Sequence, residues 1–121
     1  MGAPAPIVNS TKPLVGVVGP CKSGKSTLVR GLIANGYPSQ QIAQEHSFTL
    51  RMWALISKPD VLVFLDCNYE ATLTRGLNWT RQEYEEQQPR LAHARQNADI
   101  YLVTNEKSET EVLEAVLAML P

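Results

Sequence analysis

The segment that most constrains this chain is an apolar run at residues 14–18 (LVGVV), followed directly by GPCKSGKS at residues 19–26. The second stretch, called the glycine loop below, matches the pattern G-x-x-x-x-G-K-[ST]. Residues 25–35 then repeat leucine, valine and isoleucine on one helical face. A strand, a glycine-bounded turn and a helix in this order predict a nest of backbone N–H groups at a helix's positive end, where polyphosphates bind.

The rest of the chain alternates between strand-like and helix-like patterns. Capping boxes beginning at Thr80 and Ser108 predict two helix starts, and Pro89 predicts a kink or a break in the first of these helices. Further strands are predicted at residues 40–45, 61–65 and 99–103, and further helices at residues 49–57 and 69–76. The two capped helices are predicted to span residues 80–97 and 108–120. This order predicts an α/β protein, a three-layer α/β/α sandwich with a mostly parallel sheet of about four strands.

Length and composition narrow the class of protein. With 121 residues, the chain is expected to form one domain over residues 13–121, after a flexible tail at residues 1–12. The net charge of −1 predicts no nucleic-acid partner, and no apolar run approaches the roughly 20 residues that span a bilayer. Two cysteines, Cys21 and Cys67, are too few for a disulfide scaffold, so we expect a cytoplasmic protein.

The residue types in the glycine loop predict specific roles toward a nucleoside triphosphate. Gly19 and Gly24 let the backbone turn tightly, and Lys25, expected to face solvent, reaches the β- and γ-phosphates. The Ser26 hydroxyl is a natural Mg²⁺ ligand, and Thr27 donates near the α-phosphate. The predicted nucleotide-binding residues of the loop are Gly19, Pro20, Cys21, Lys22, Ser23, Gly24, Lys25, Ser26 and Thr27. Residues 104–107 read TNEK and not the guanine-reading N-K-x-D, so ATP is the expected nucleotide.

Three segments resemble the P-loop kinases of the nucleoside- and nucleotide-kinase type, such as thymidylate kinase and dephospho-CoA kinase. They are residues 14–26, residues 58–71 (KPDVLVFLDCNYEA) and residues 99–120 (DIYLVTNEKSETEVLEAVLAML). The resemblance implies a P-loop NTPase fold and transfer of the ATP γ-phosphate, with Mg²⁺, to a small-molecule acceptor. It also implies that Asn105 borders the base. That family has one more strand than is predicted here, so the unit that binds the acceptor is shortened, built differently or absent.

Phosphoryl transfer needs a carboxylate that holds Mg²⁺ or takes the acceptor's proton. If one strand is missing, residues 40–45 lie beside residues 14–18, and Glu45 emerges next to the glycine loop at the carboxyl edge of the sheet. Glu45 is therefore predicted as a catalytic residue and, with Ser26, as a metal ligand; the alternative is a solvated loop residue. Asp66, at the end of a strand, competes for the catalytic role, although it could equally be a turn residue. His46 is expected to be a surface or structural residue.

Positive charge stabilises the transferring phosphoryl group. Arg75 and Arg81 are predicted to supply it, because among the arginines at positions 75, 81, 90 and 95 they lie nearest to a strand end. The resemblance implies an arginine-bearing lid in this region. The alternative is ordinary ion pairing with glutamates along a solvated helix.

Three functions remain open from the sequence. The first is a small ATP-dependent kinase, the second is a nucleotide-binding module that serves a partner without acceptor chemistry, and the third is a slow NTPase. The sequence does not fix the oligomeric state, although the exposed edge of so small a sheet could pair with a second copy to form a homodimer. Cys21 and Cys67 could form a redox clamp over the phosphate site, although two unreactive thiols are the ordinary case.

Overall fold

The computed structural model describes residues 12–121, so all but the last residue of the predicted tail lies outside the described residues. Four strands form one parallel sheet in the spatial order β2-β1-β3-β4. They are β1 (Val15–Val18), β2 (Ser39–Gln41), β3 (Val61–Asp66) and β4 (Ile100–Val103). Strand β1 pairs with β2 and β3, and β3 pairs with β4, each in parallel. The prediction of an α/β fold with a four-stranded sheet is confirmed, and the sheet is parallel throughout.

Helices cover both faces of the sheet, as the period-2 alternation of side chains along parallel strands requires. The helices are α1 (Lys25–Ala34), α2 (Tyr69–Thr74), α3 (Arg81–Asn97) and α4 (Glu109–Met119). On one face, Val15 and Val63 pack with Leu28 and Leu32 of α1 and with Val116 of α4. A second buried cluster, on the other face, joins strands β1 and β3 to Leu91 and Ala94 of α3. This arrangement is compatible with the three predicted layers.

Both predicted capping boxes are confirmed. The side chain of Thr80 accepts from the Glu83 amide at the start of α3, and Ser108 accepts in the same way from Glu111 at the start of α4. Of the predicted kink or break at Pro89, the break is wrong, because α3 continues through it as one helix of 17 residues. Proline removes one intrahelical donor, but burial of the helix residues on either side of it stabilises the continuous helix.

Two other predicted elements are shorter than expected, and the buried side chain of Gln44 explains both. Its Nε2 donates to Thr49 O at 2.9 Å, and its Oε1 accepts from the Trp53 amide at 2.9 Å. These bonds turn the chain, so the strand predicted at residues 40–45 ends at Gln41 and a 3₁₀ turn follows at Gln44–His46. The helix predicted at residues 49–57 is reduced to a single π-helical turn, Trp53–Ser57.

The carboxyl ends of the parallel strands meet at one edge of the sheet, where the glycine loop also lies. This edge is the usual ligand-binding side of open parallel sheets. Among residues 12–121, no helix combines the length and the apolar character that crossing a bilayer requires.

Candidate functional site

The glycine loop curls tightly between β1 and α1 and packs against the end of β3. Gly19 has φ +156, and a Cβ atom there would lie 2.0 Å from Leu65 O and 2.7 Å from Ser23 Oγ. Lys22 and Gly24 also have positive φ angles, of 64° and 105°. The close approach to β3 leaves room only for glycine at position 19, as the sequence pattern predicted.

Helix α1 begins with unused backbone donors that face this loop. Gly24 is its N-cap and has no side chain to cap the helix, and the first turn contains no acidic residue. The amide of Leu28 makes the bond to Gly24 O at 3.0 Å, so the amides of residues 25–27 precede the first intrahelical bond. Free N–H groups and the positive end of the helix dipole together favour an anion here.

Lys25 is buried beside the loop, with 6 % of its surface exposed. Its Nζ donates to Gly19 O at 3.0 Å and to Pro20 O at 2.9 Å, and it lies 3.0 Å from Glu45 Oε2. The expectation that Lys25 faces solvent is therefore wrong. The ammonium group is held between the carbonyls of the loop and a carboxylate from a different segment, which compensates for the loss of water.

Glu45 lies next to the glycine loop, where the sequence placed it, although it arrives on the 3₁₀ turn and not at the end of β2. Only 3 % of its surface is exposed. Its Oε1 atom is buried and has no hydrogen-bond partner among residues 12–121. A buried, unpartnered carboxylate oxygen is unfavourable unless a cation or donor reaches it. Ser26 and Glu45 line the same cleft and offer oxygen ligands, so the donor set fits Mg²⁺.

A cleft of about 740 Å³ opens above these residues. The glycine loop and the first turn of α1 form one wall, and the segment that leads from β4 into α4 forms another. Four of the lining residues are cationic and two are carboxylates. The cations are Lys22, Lys25, Arg75 and Lys107, and the carboxylates are Glu45 and Glu109. The excess of positive charge suits an anionic ligand.

The sequence reasoning missed the wall that contains Thr104, Lys107, Ser108 and Glu109. Their position directly after the strand predicted at residues 99–103 could have indicated this wall. Because parallel strands end at one edge, residues that follow β4 lie near those that follow β1. From the sequence, this segment supplied the comparison with N-K-x-D, the capping box at Ser108 and, by the resemblance, a role for Asn105, but none of these placed it at the cleft.

Arg75 lines the cleft and ties the glycine loop to the end of β4. Its guanidinium donates to Lys22 O at 2.7 Å and to Thr104 Oγ1 at 3.2 Å, and it also donates to Thr104 O. Thr104, which is buried, donates in turn to Ser23 O at 3.0 Å. The predicted arginine is thus near the loop, and its donors stabilise the loop's backbone.

Asp66 lies away from the cleft lining. Its carboxylate accepts from the Tyr101 hydroxyl and lies 3.4 Å from Arg95 Nε. Partial burial and this hydrogen bond to Asp66 raise the pKa of Tyr101. Of the two predicted carboxylates, the structure brings only Glu45 to the glycine loop.

Arg81 and Asn105 also lie outside the cleft lining. Arg81 pairs on the surface with Glu70 of α2, with Nη2 2.5 Å from Oε2. It therefore forms an ion pair, but with a glutamate of another helix and not along its own. Asn105 Oδ1 accepts from the Asn68 amide at 2.8 Å, just before α2. A role for either residue toward a nucleotide stays a prediction.

The two cysteines differ in their surroundings, and in the described part of the chain both are free thiols. Cys21 is half-buried in the glycine loop, with Sγ 3.7 Å from His46 Nε2. Gln87 Nε2 donates to the same sulfur at 3.1 Å. Cys67 is buried, and burial raises the pKa of its thiol to about 11, against the opposing charge of Arg75.

We expect iodoacetamide to modify Cys21 much faster than Cys67 at pH 8. The thiolate is the nucleophile, and raising the Cys67 pKa from 9.0 to about 11 lowers its thiolate fraction about a hundredfold below pH 9. Mass spectrometry of labelled peptides over time gives both rates, and labelling of Cys67 should rise with pH toward 11. Equal rates at the two positions in the folded protein would contradict the described burial of Cys67.

No protein-family model matches this chain, and no curated protein matches it either. The resemblance to P-loop kinases therefore rests on the three segments quoted above.

Proposed function

We propose that this chain binds ATP with Mg²⁺ in the cleft above the glycine loop and transfers the γ-phosphoryl group to a small-molecule acceptor. One observation carries the proposal. The uncapped, positive end of α1 follows a turn that only glycine can make at position 19, and it opens on a cation-rich cleft. A nest of amides with a helix dipole behind it is the recurrent way in which proteins hold polyphosphate.

The lysines of the cleft have complementary roles in this proposal. Lys25 is already fixed against Gly19 O and Pro20 O, so its charge lies beside the glycine loop without a further ordering cost. Lys22 and Lys107 are exposed and extend positive charge along the cleft. A volume of about 740 Å³ lies within the range of about 300–1,000 Å³ that is usual for small-ligand sites.

Ser26 and Glu45 are the residues that would hold Mg²⁺. The ion would neutralise charge on the phosphates and help to orient them. Glu45 contributes a carboxylate oxygen with no hydrogen-bond partner within residues 12–121. In the transfer, the acceptor oxygen bonds to the γ-phosphorus, the bond to the bridging oxygen breaks, and ADP leaves. The acceptor's proton passes to a base, a role that Glu45 takes if the metal is held without it.

A nucleotide-binding module without acceptor chemistry is the second candidate. The observation that favours it concerns the predicted catalytic arginines. Arg75 is bonded to backbone oxygens of Lys22 and Thr104, and Arg81 pairs with Glu70 outside the cleft lining. Stabilisation of the transferring group by arginine would need one of them to rearrange. Slow hydrolysis, with water as the acceptor, is the third candidate.

Calorimetry with ATP and Mg²⁺, followed by turnover assays against a set of nucleosides, nucleotides and other metabolites, separates these functions. We expect ATP binding in the micromolar to millimolar range and ADP formation that depends on one acceptor. Binding without turnover for any acceptor would favour the module, and turnover with ATP and water alone would favour the NTPase. No binding at millimolar ATP would overturn all three.

A further inference from the structure

Three side chains with different ligand atoms converge at the edge of the cleft. The Sγ of Cys21, the Nε2 of His46 and a carboxylate oxygen of Glu45 all lie within 4.8 Å of one another. The sulfur is 3.7 Å from Nε2, and Nε2 is 3.8 Å from Glu45 Oε2. Ligand atoms of a tetrahedral zinc ion, with the usual bond lengths, are about 3.3–3.6 Å apart. Small side-chain adjustments would bring these atoms to coordination distance.

Glu45 provides an independent indication that a cation belongs here. Its side chain is 4 % exposed, and Lys25 engages Oε2 while Oε1 has no hydrogen-bond partner within residues 12–121. A buried carboxylate oxygen in this condition keeps its desolvation cost uncompensated. A cation bound at this carboxylate, within reach of Oε1, would remove that cost.

The side chain of Gln87 holds the Cys21 sulfur in position. Gln87 is buried, and its Nε2 donates to Cys21 Sγ at 3.1 Å while its Oε1 accepts from the Cys21 amide at 3.1 Å. This outer contact fixes the position of the sulfur, as hydrogen bonds to metal ligands commonly do. The two contacts with Gln87 fix the backbone and the side chain of Cys21, so Cys21 loses little conformational freedom when a metal binds.

We infer that Cys21, Glu45 and His46 form a binding site for Zn²⁺ or a similar borderline-soft divalent cation, with the fourth position open to the cleft. Thiolate, imidazole and carboxylate together suit zinc, whereas Mg²⁺ takes oxygen ligands alone. Binding displaces the thiol proton of Cys21 to solvent, and no other bond is made or broken in the chain. These ligands would hold the ion without nucleotide, so the inference does not need the proposed function. It uses the Glu45 carboxylate that the proposed function assigns to Mg²⁺, so the two ions are alternatives at that residue.

The test is a titration of the full chain with Zn²⁺ in competition with a chromophoric chelator, together with absorption spectra of the Co²⁺ form. We expect one ion per chain. The Co²⁺ form should show intense visible bands of tetrahedral coordination and a near-ultraviolet band from thiolate-to-metal charge transfer. A weak, octahedral Co²⁺ spectrum without the thiolate band would overturn the inference.

The chain offers a matched control for each soft ligand, since it contains two cysteines and two histidines. Cys21→Ser and His46→Gln should each weaken Zn²⁺ binding by at least about tenfold. Cys67→Ser and His93→Gln should leave the affinity unchanged, because neither belongs to the cluster. His46 is 60 % exposed, so its substitution tests the site without disturbing the core. Equal losses in the control variants, or no loss in His46→Gln, would contradict the assignment.

Discussion

Replacing Gly19 with alanine is expected to lower the free energy of unfolding by about 3 kcal/mol or more and to abolish ATP binding. The added Cβ would lie 2.0 Å from the Leu65 carbonyl oxygen, so the glycine loop or the end of β3 has to move. Both are backbone segments at the carboxyl ends of the two central strands, and they cannot relax as a flexible side chain would. Urea denaturation measures the first effect and calorimetry with ATP and Mg²⁺ measures the second.

Gly76→Ala is the matched control for this substitution. Gly76 also has a positive φ, of +97°, but no atom lies within 4 Å of the position of its Cβ. It should therefore cost only the backbone strain, about 1–2 kcal/mol, and leave ATP affinity unchanged. If the two alanine variants were equally stable, the close approach of the glycine loop to β3 would not exist as described.

Lys25→Met is expected to have the second large effect, on both stability and nucleotide binding. Methionine keeps the apolar length of the side chain but leaves the Glu45 carboxylate buried without its partner, which costs about 3–5 kcal/mol. Loss of the ammonium should also weaken ATP binding about tenfold to a hundredfold, as expected for a hydrogen bond to a charged group. Denaturation and calorimetry report the two losses separately.

The double variant Lys25→Met/Glu45→Gln separates the loss of stability from the loss of ATP affinity. Removing the carboxylate charge should restore most of the lost stability, while ATP affinity stays low because the cation is still missing. Lys22→Met is the control for a lysine in the same loop, since Lys22 is exposed and should keep wild-type stability. A Lys25→Met variant as stable as the wild type would show that the buried ion pair does not form.

Elements that depend on neighbouring residues could be predicted from the sequence. The strand, the glycine loop and helix α1 follow from a local apolar run, two glycines and a helical repeat. The capping boxes at Thr80 and Ser108 need only the residue three positions later, and both are confirmed. The predictions that failed, at Pro89 and at residues 40–57, concern elements that depend on residues distant in the sequence. There, burial of α3 and the side-chain bonds of Gln44 override local preference.

The sequence by itself determined the type of sheet and the position of the glycine loop, because both follow from local pattern and from the parallel order of strands. It also predicted Glu45 near the loop, but at the end of a strand where the structure has a 3₁₀ turn. Only the tertiary structure decided that Lys25 is buried and that Asp66 faces Arg95 and not the cleft. It also decided that Cys21 meets His46, 25 residues away in the sequence. Such meetings depend on where a turn after β2 ends relative to a loop after β1, and no pattern within either segment encodes that distance.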